Sequence, residues 1–192
     1  MCKPIKQGER REQSMNGRPN LSPRTRKTAL LGMLAAAALA LSFLENLIPG
    51  LPGLPPGAKP GFSNIATMAA AAQLGFAGAF PITLLKAGFA GLTRGATAFF
   101  MSTAGGVLSM LVMLPLLHGK RNPFGAVGTG ILCAAMHNLG QLMASWALTG
   151  TKAIFGYAPL LLLFALLTGL ATGAVYGAIA PSLNRIFPSH FK

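Results

Sequence analysis

Aspartate is absent from this chain, and glutamate occurs only as Glu9, Glu12 and Glu45. Past residue 27, Glu45 is therefore the sole acidic side chain. That scarcity excludes whole classes of chemistry. No Ser/His/Asp triad can be assembled. Hard divalent cations need several oxygen ligands held together, so neither a metal site nor a catalytic residue is expected. The chain also lacks a G-x-x-x-x-G-K-[ST] loop, which excludes ATP hydrolysis by a P-loop. Cysteine is scarce too. Cys2 lies in a basic tail and Cys133 in an apolar run, with no metal-ligand spacing between them.

Charge of either sign is sparse where soluble domains need it. Only 10% of the 192 residues are charged, against about 25% in soluble proteins. The chain is instead 52% hydrophobic, with a mean hydropathy of +0.55. Lipid is the solvent this composition implies. The 24 glycines fit that solvent, because small residues let membrane helices approach where no hydrophobic drive brings them together.

The formal charge of +13 does not point to nucleic acid. Eight of the 16 Lys and Arg (Lys3, Lys6, Arg10, Arg11, Arg18, Arg24, Arg26 and Lys27) precede the first apolar run. A basic segment there is the ordinary cytoplasmic anchor of a membrane helix. Residues 1–26 show no periodicity and are expected to form a disordered basic cytoplasmic tail. The run that follows is long for a signal peptide and has no small-residue cleavage site after it, so it is expected to be retained.

The expected architecture is all-α, a polytopic membrane bundle of six transmembrane helices over residues 27–187, with 188–192 as a short cytoplasmic tail. The first span covers 27–48 and is followed by a Pro/Gly-rich break at 49–61 that forbids regular helix. A second runs from 62 to about 79, with Ser63 and Asn64 as cap candidates. Pro81 suits the first turn of a third helix over 81–95. Thr93-Arg94-Gly95 separates it from a fourth over 97–117. A polar turn at 118–123 precedes a fifth over 124–149, and the sixth covers 157–187.

Loop charge orients such a bundle. With a cytoplasmic start, the inner segments hold the eight tail cations, Lys120, Arg121, Arg185 and Lys192, and the outer ones hold Lys59, Arg94 and Lys152. Twelve against three satisfies the positive-inside rule, with both termini cytoplasmic. Lys86, near the inner end of the third span, is expected to snorkel to the cytoplasmic surface.

Polar side chains in the remaining spans each need a partner or a task. Glu45 falls near the outer end of the first helix. His137 and Gln141, four apart, share a face of the fifth with Asn138 beside them. Lys59 and Asn64 flank the start of the second helix, and Arg94 and Ser102 flank the third-to-fourth turn. All fall at a similar outer depth, where a solute site can form. Each is otherwise an interfacial residue or half of a helix–helix hydrogen bond. Gly105-Gly106, with Ser102 and Ser109, offers a smooth packing face on the fourth helix. The Ala run of the first helix, with Ala36 and Ala40 one turn apart, suits internal packing or docking on another membrane subunit.

Four segments in order, ALLGMLAAAALALSFLENLIP, PPGAKPGFSNIATM, STAGGVLSMLVM and AAMHNLGQLMASWAL, carry a resemblance. Over residues 27–187 the chain resembles the bacterial membrane family labelled heptaprenyl diphosphate synthase component I, also called the Gx transporter family. Gly57, Lys59, Gly61, Asn64 and Ile65 match one motif of that family, and His137, Asn138, Gly140 and Gln141 match the other. Pro60-Gly61-Phe62 departs from its usual Leu-Gly-Leu run. The family's layout is similar to the S components of energy-coupling factor transporters. That similarity implies a non-catalytic, cofactor-free subunit in the bacterial plasma membrane that captures a small solute outside. The solute would be a vitamin or a molecule resembling an isoprenoid or quinone precursor. Docking through the first helix onto a transmembrane coupling subunit with ATPases is implied as well.

The synthase label implies a different role. Prenyl diphosphate synthases hold their substrate through Mg²⁺ on Asp-rich motifs, which a chain without Asp cannot build. Under that label the chain is at most a non-catalytic accessory subunit of isoprenoid or quinone biosynthesis. A purely structural subunit of a membrane complex is the third possibility.

Overall fold

The computed structural model describes residues 22–47, 61–119 and 124–187. The expectations for residues 1–21, Lys59, Lys120, Arg121 and Lys192 lie outside the described residues. All regular structure within them is helical: α1 (Pro23–Leu47), α2 (Ser63–Leu74), α3 (Phe76–Arg94), α4 (Ala96–His118), α5 (Gly125–Thr149), a 3₁₀ turn (Lys152–Tyr157) and α6 (Ala158–Ile186).

The helices start and stop for local reasons. Helix α1 begins earlier than the tail boundary at residue 26 implied, because Ser22 and Pro23 form a start signal. The Ser22 hydroxyl accepts the Thr25 backbone N–H at 3.2 Å, and Pro23 occupies the first turn, where its missing N–H costs nothing. The break between α2 and α3 is Gly75, at φ 66°, a conformation glycine adopts without a side-chain clash. It is not Pro81, which lies inside α3. Sixth in its helix, Pro81 forfeits one backbone bond, to the Ala77 carbonyl. Gly95, at φ 91°, separates α3 from α4 where Thr93-Arg94-Gly95 marked a break.

Among the described residues, four helical segments are long and apolar enough to cross a membrane: Arg24–Leu47, Phe76–Arg94, Ala96–His118 and Lys152–Ile186. Six spans were expected, and two helices differ for separate reasons. Helix α2 has 12 residues, about 18 Å of rise, short of the ~30 Å hydrocarbon core. Helix α5 is 25 residues long, but His137, Asn138 and Gln141 dilute its apolar run. Neither cap candidate caps α2 through its own side chain; Phe62 holds the N-cap position.

Contacts between helix ends define two ends of the bundle. At the basal end Arg26, near the start of α1, donates to the Ile186 carbonyl and lies 5.1 Å from the Phe187 ring. A cation suits a helix C-terminus. Gln73 Nε2 donates to Asn184 Oδ1 at 2.6 Å nearby. At the apical end Glu45 of α1 meets Ser63 of α2, and Trp146 of α5 lies 6.0 Å from Phe155.

Helix α2 is the hub, with nine of its twelve residues buried. It packs on α1, α3, α4 and α6. Its Met68 is essentially inaccessible, as are Met110 and Met113 of α4 and Cys133 of α5 in the core beside it, where the flexible methionine thioethers fill irregular space. On α6, by contrast, Leu162, Leu163, Leu166, Leu167 and Leu170 are all exposed. An apolar face of that extent suits lipid.

Candidate functional site

Each polar side chain that reaches the bundle interior is delivered by a local feature. Glu45 ends α1 on its buried side and is 4% exposed. Its Oε1 accepts the Ser63 N–H at 2.8 Å, and Oε2 accepts the Ser63 hydroxyl at 3.4 Å. A carboxylate from α1 thus satisfies an orphan N–H at the start of α2, where the helix dipole favours negative charge. The cap that Ser63 and Asn64 were expected to supply comes from another helix.

Lys86 is the main correction. A helix that starts at Phe76 rather than Pro81 carries Lys86 to its eleventh position, mid-span rather than near an end. The side chain is 8% exposed and does not snorkel to a surface. Its ammonium donates to Asn64 Oδ1 at 2.7 Å and to Thr67 Oγ1 at 3.4 Å. Both acceptors are neutral. Glu45 is within electrostatic reach of Lys86 and of Arg94.

On α5, His137 and Gln141 do share a face. Gln141 Nε2 lies 3.2 Å from His137 Nε2, so the amide donates to an unprotonated ring nitrogen. Asn138 turns toward α6 and donates to the Leu161 carbonyl at 2.9 Å. The face sits against α4 because side chains are missing there. A Cβ on Gly105 would meet the His137 carbonyl at 2.7 Å, and one on Gly140 would meet the Ala104 carbonyl at 2.6 Å. The smooth Gly105-Gly106 face expected on α4 is used in this way, with Gly106 turned to Thr83 of α3.

These groups border one cavity of about 50 Å³. Since a water needs about 10–15 Å³ measured this way, the space fits roughly four. Glu45, Asn64, Arg94, Ser102, His137, Asn138 and Gln141 all line it. Seven of the eight residues singled out from the sequence are therefore brought together, and Lys59 lies outside the described residues. The cavity adds Ser42, Lys86, Thr168 and Thr172, which sequence reasoning missed. The signal for the last two was present. Thr168-Gly169 and Thr172-Gly173 repeat at four residues, placing two hydroxyls and two glycines on one face of α6.

The cavity lining offers hydroxyl, amide, imidazole and thiol groups, two cations, and a carboxylate whose two oxygens both accept from Ser63.

No curated protein and no solved structure matches the chain. The family model described as heptaprenyl diphosphate synthase component I matches residues 34–179, most of the chain, including every cavity residue discussed above. The chain belongs to the heptaprenyl diphosphate synthase component I family.

Proposed function

We propose that this protein is the substrate-binding membrane subunit of a small-solute transporter. It would take its solute on the outer side of the bacterial plasma membrane and rely on partner subunits for energy. The observation that carries this reading is the cavity. A chain with one acidic residue past position 27 directs polar groups from all six helices into one space. Buried polar groups in a membrane bundle are expensive and mark solute pathways.

Orientation follows from charge. Arg24, Arg26, Lys27 and Arg185 gather at the basal end, and Arg94 and Lys152 at the apical end. The positive-inside rule makes the basal end cytoplasmic, together with both termini, and opens the cavity outward. In a Cys2→Ser background, a cysteine at exposed Thr151 is expected to react with an impermeant thiol reagent applied to intact cells. A cysteine at exposed Gly119 is expected to react only after lysis. Buried Cys133 should stay silent in both cases. Reversed labelling would overturn the orientation.

A transmembrane coupling subunit with ATPases is the partner this role needs. Ala36 and Ala40 are exposed and one turn apart on α1, while Ala38 between them is fully buried. The exposed pair offers a low-relief surface for another membrane helix. One purification tests both halves of the proposal. Protein extracted in mild detergent is expected to carry a small molecule detectable by mass spectrometry, together with the coupling subunit. The double variant Ala36→Leu, Ala40→Leu is expected to keep the small molecule and lose the subunit. Finding neither component with the native protein would sink the transport reading.

The family description favours a second reading, a non-catalytic accessory subunit of heptaprenyl diphosphate or isoprenoid-quinone biosynthesis. The Asp-free sequence argues against the chain being a synthase itself. A soluble prenyl synthase subunit in the same purification, in place of ATPases, would favour this alternative.

A further inference from the structure

The cavity's charges do not balance. Lys86 and Arg94 both line it, against the single carboxylate of Glu45. Both Glu45 oxygens accept from Ser63, and the Lys86 ammonium donates to Asn64 and Thr67 rather than to that carboxylate. Lys86 is more than nine-tenths buried, and the two acceptors given to its ammonium are uncharged. An ammonium has three N–H donors, so one is left for a further acceptor. A buried charge is ordinarily paired, because removing it from water without a counterion is strongly unfavourable.

We infer that the solute presents a compact oxyanion, a carboxylate or a phosphate, which sits on the Lys86 ammonium; this rests on the solute-binding reading. Arg94 is exposed at the cavity's edge and attracts the anion without enclosing it. The small free volume fits a headgroup of a few heavy atoms, so a larger body attached to it extends beyond the present cavity. Asn64 and Thr67 hold the ammonium in place before the anion arrives, which lowers the ordering cost of binding.

The test uses full-length protein, freed of co-purifying solute, in nanodiscs of zwitterionic lipid so that no anionic headgroup competes. Inorganic phosphate and acetate are titrated separately against chloride at matched ionic strength, with calorimetry and thermal unfolding as readouts. Wild type is expected to bind one oxyanion in preference to chloride, and the preferred probe distinguishes a phosphate from a carboxylate headgroup. Lys86→Met is expected to bind that probe about tenfold or more weakly, the loss typical of a charge-assisted bond. Lys86→Gln, which keeps an N–H for Asn64, serves if the Met variant does not fold. Arg94→Gln is expected to lose less, and chiefly at low salt, because an exposed charge is screened. Equal binding by wild type and both Lys86 variants would overturn the inference, as would no preference over chloride. An uncharged co-purifying solute would also overturn it while leaving solute binding intact. Absence of any bound solute from the native protein would instead undercut the reading on which it rests.

Discussion

Gly130→Val abolishes the folded bundle, or leaves a form that aggregates on extraction. A Cβ at Gly130 of α5 would lie 2.5 Å from the Gly169 carbonyl oxygen and 2.7 Å from Gly173 Cα on α6. The crossing is reciprocal. A Cβ at Gly169 would meet Ile131 Cα at 2.4 Å, and one at Gly173 would meet Val127 Cα at 2.7 Å. Every obstacle is backbone, so no rotamer change makes room. Overpacking an ordinary core costs about 1–3 kcal/mol; here two helices must separate, and the cost lies at or above that range. Gly88→Ala is the control. Nothing lies within 4 Å of its added Cβ, and a glycine replaced by alanine inside a helix gains up to about 1 kcal/mol. Thermal unfolding and size-exclusion profiles in one detergent separate the two outcomes. A Gly130→Val protein that melts with wild type would show that the helices do not cross this closely.

Gln141→Leu has the opposite signature: solute binding falls and stability holds. The Gln141 amide donates to His137 and faces the cavity. Truncating a polar group that fixes a ligand costs about 1–3 kcal/mol, because its partner is left unpaired. Affinity for the co-purified solute should therefore fall roughly 5- to 150-fold. Leucine replaces the amide with an apolar group of similar bulk, and a hydrogen bond between side chains in a membrane bundle contributes only about 0.6 kcal/mol. The melting temperature should stay close to wild type. Normal binding with earlier melting would make Gln141 a structural bond and remove it from the site.

How much of this was legible depends on the range of the cause. Breaks set by local sequence were readable: Thr93-Arg94-Gly95 ends α3, and the edges of α4, α5 and α6 fall within about one residue of those read from the chain. Pro81 was misleading because a membrane helix tolerates proline within its first turns, whereas Gly75 was one glycine among 24. That single boundary carried Lys86 with it. The site was legible as a set of depths, since polar residues in an apolar chain must face inward. The pairing of Glu45 with Ser63 was not, because the partners are 18 residues apart and nothing local relates them. Nor did periodicity reveal that α2 is a 12-residue buried hub, for an Ala-rich run reads alike on every face.

The Glu45–Ser63 contact also bears on the polymer physics of the connection between its two ends. The last turn of α1 is tied directly to the first turn of α2, so both ends of the intervening Pro/Gly-rich segment are anchored at fixed positions. Loop-closure entropy rises by only about 0.6 kcal/mol for each doubling of the number of residues between two joined points. An insertion between residues 47 and 61 is therefore expected to cost little stability, provided Glu45 and Ser63 remain. The junction of α1 and α2 is held by that carboxylate together with the packing of Ala38 on Ala66 and Ala70.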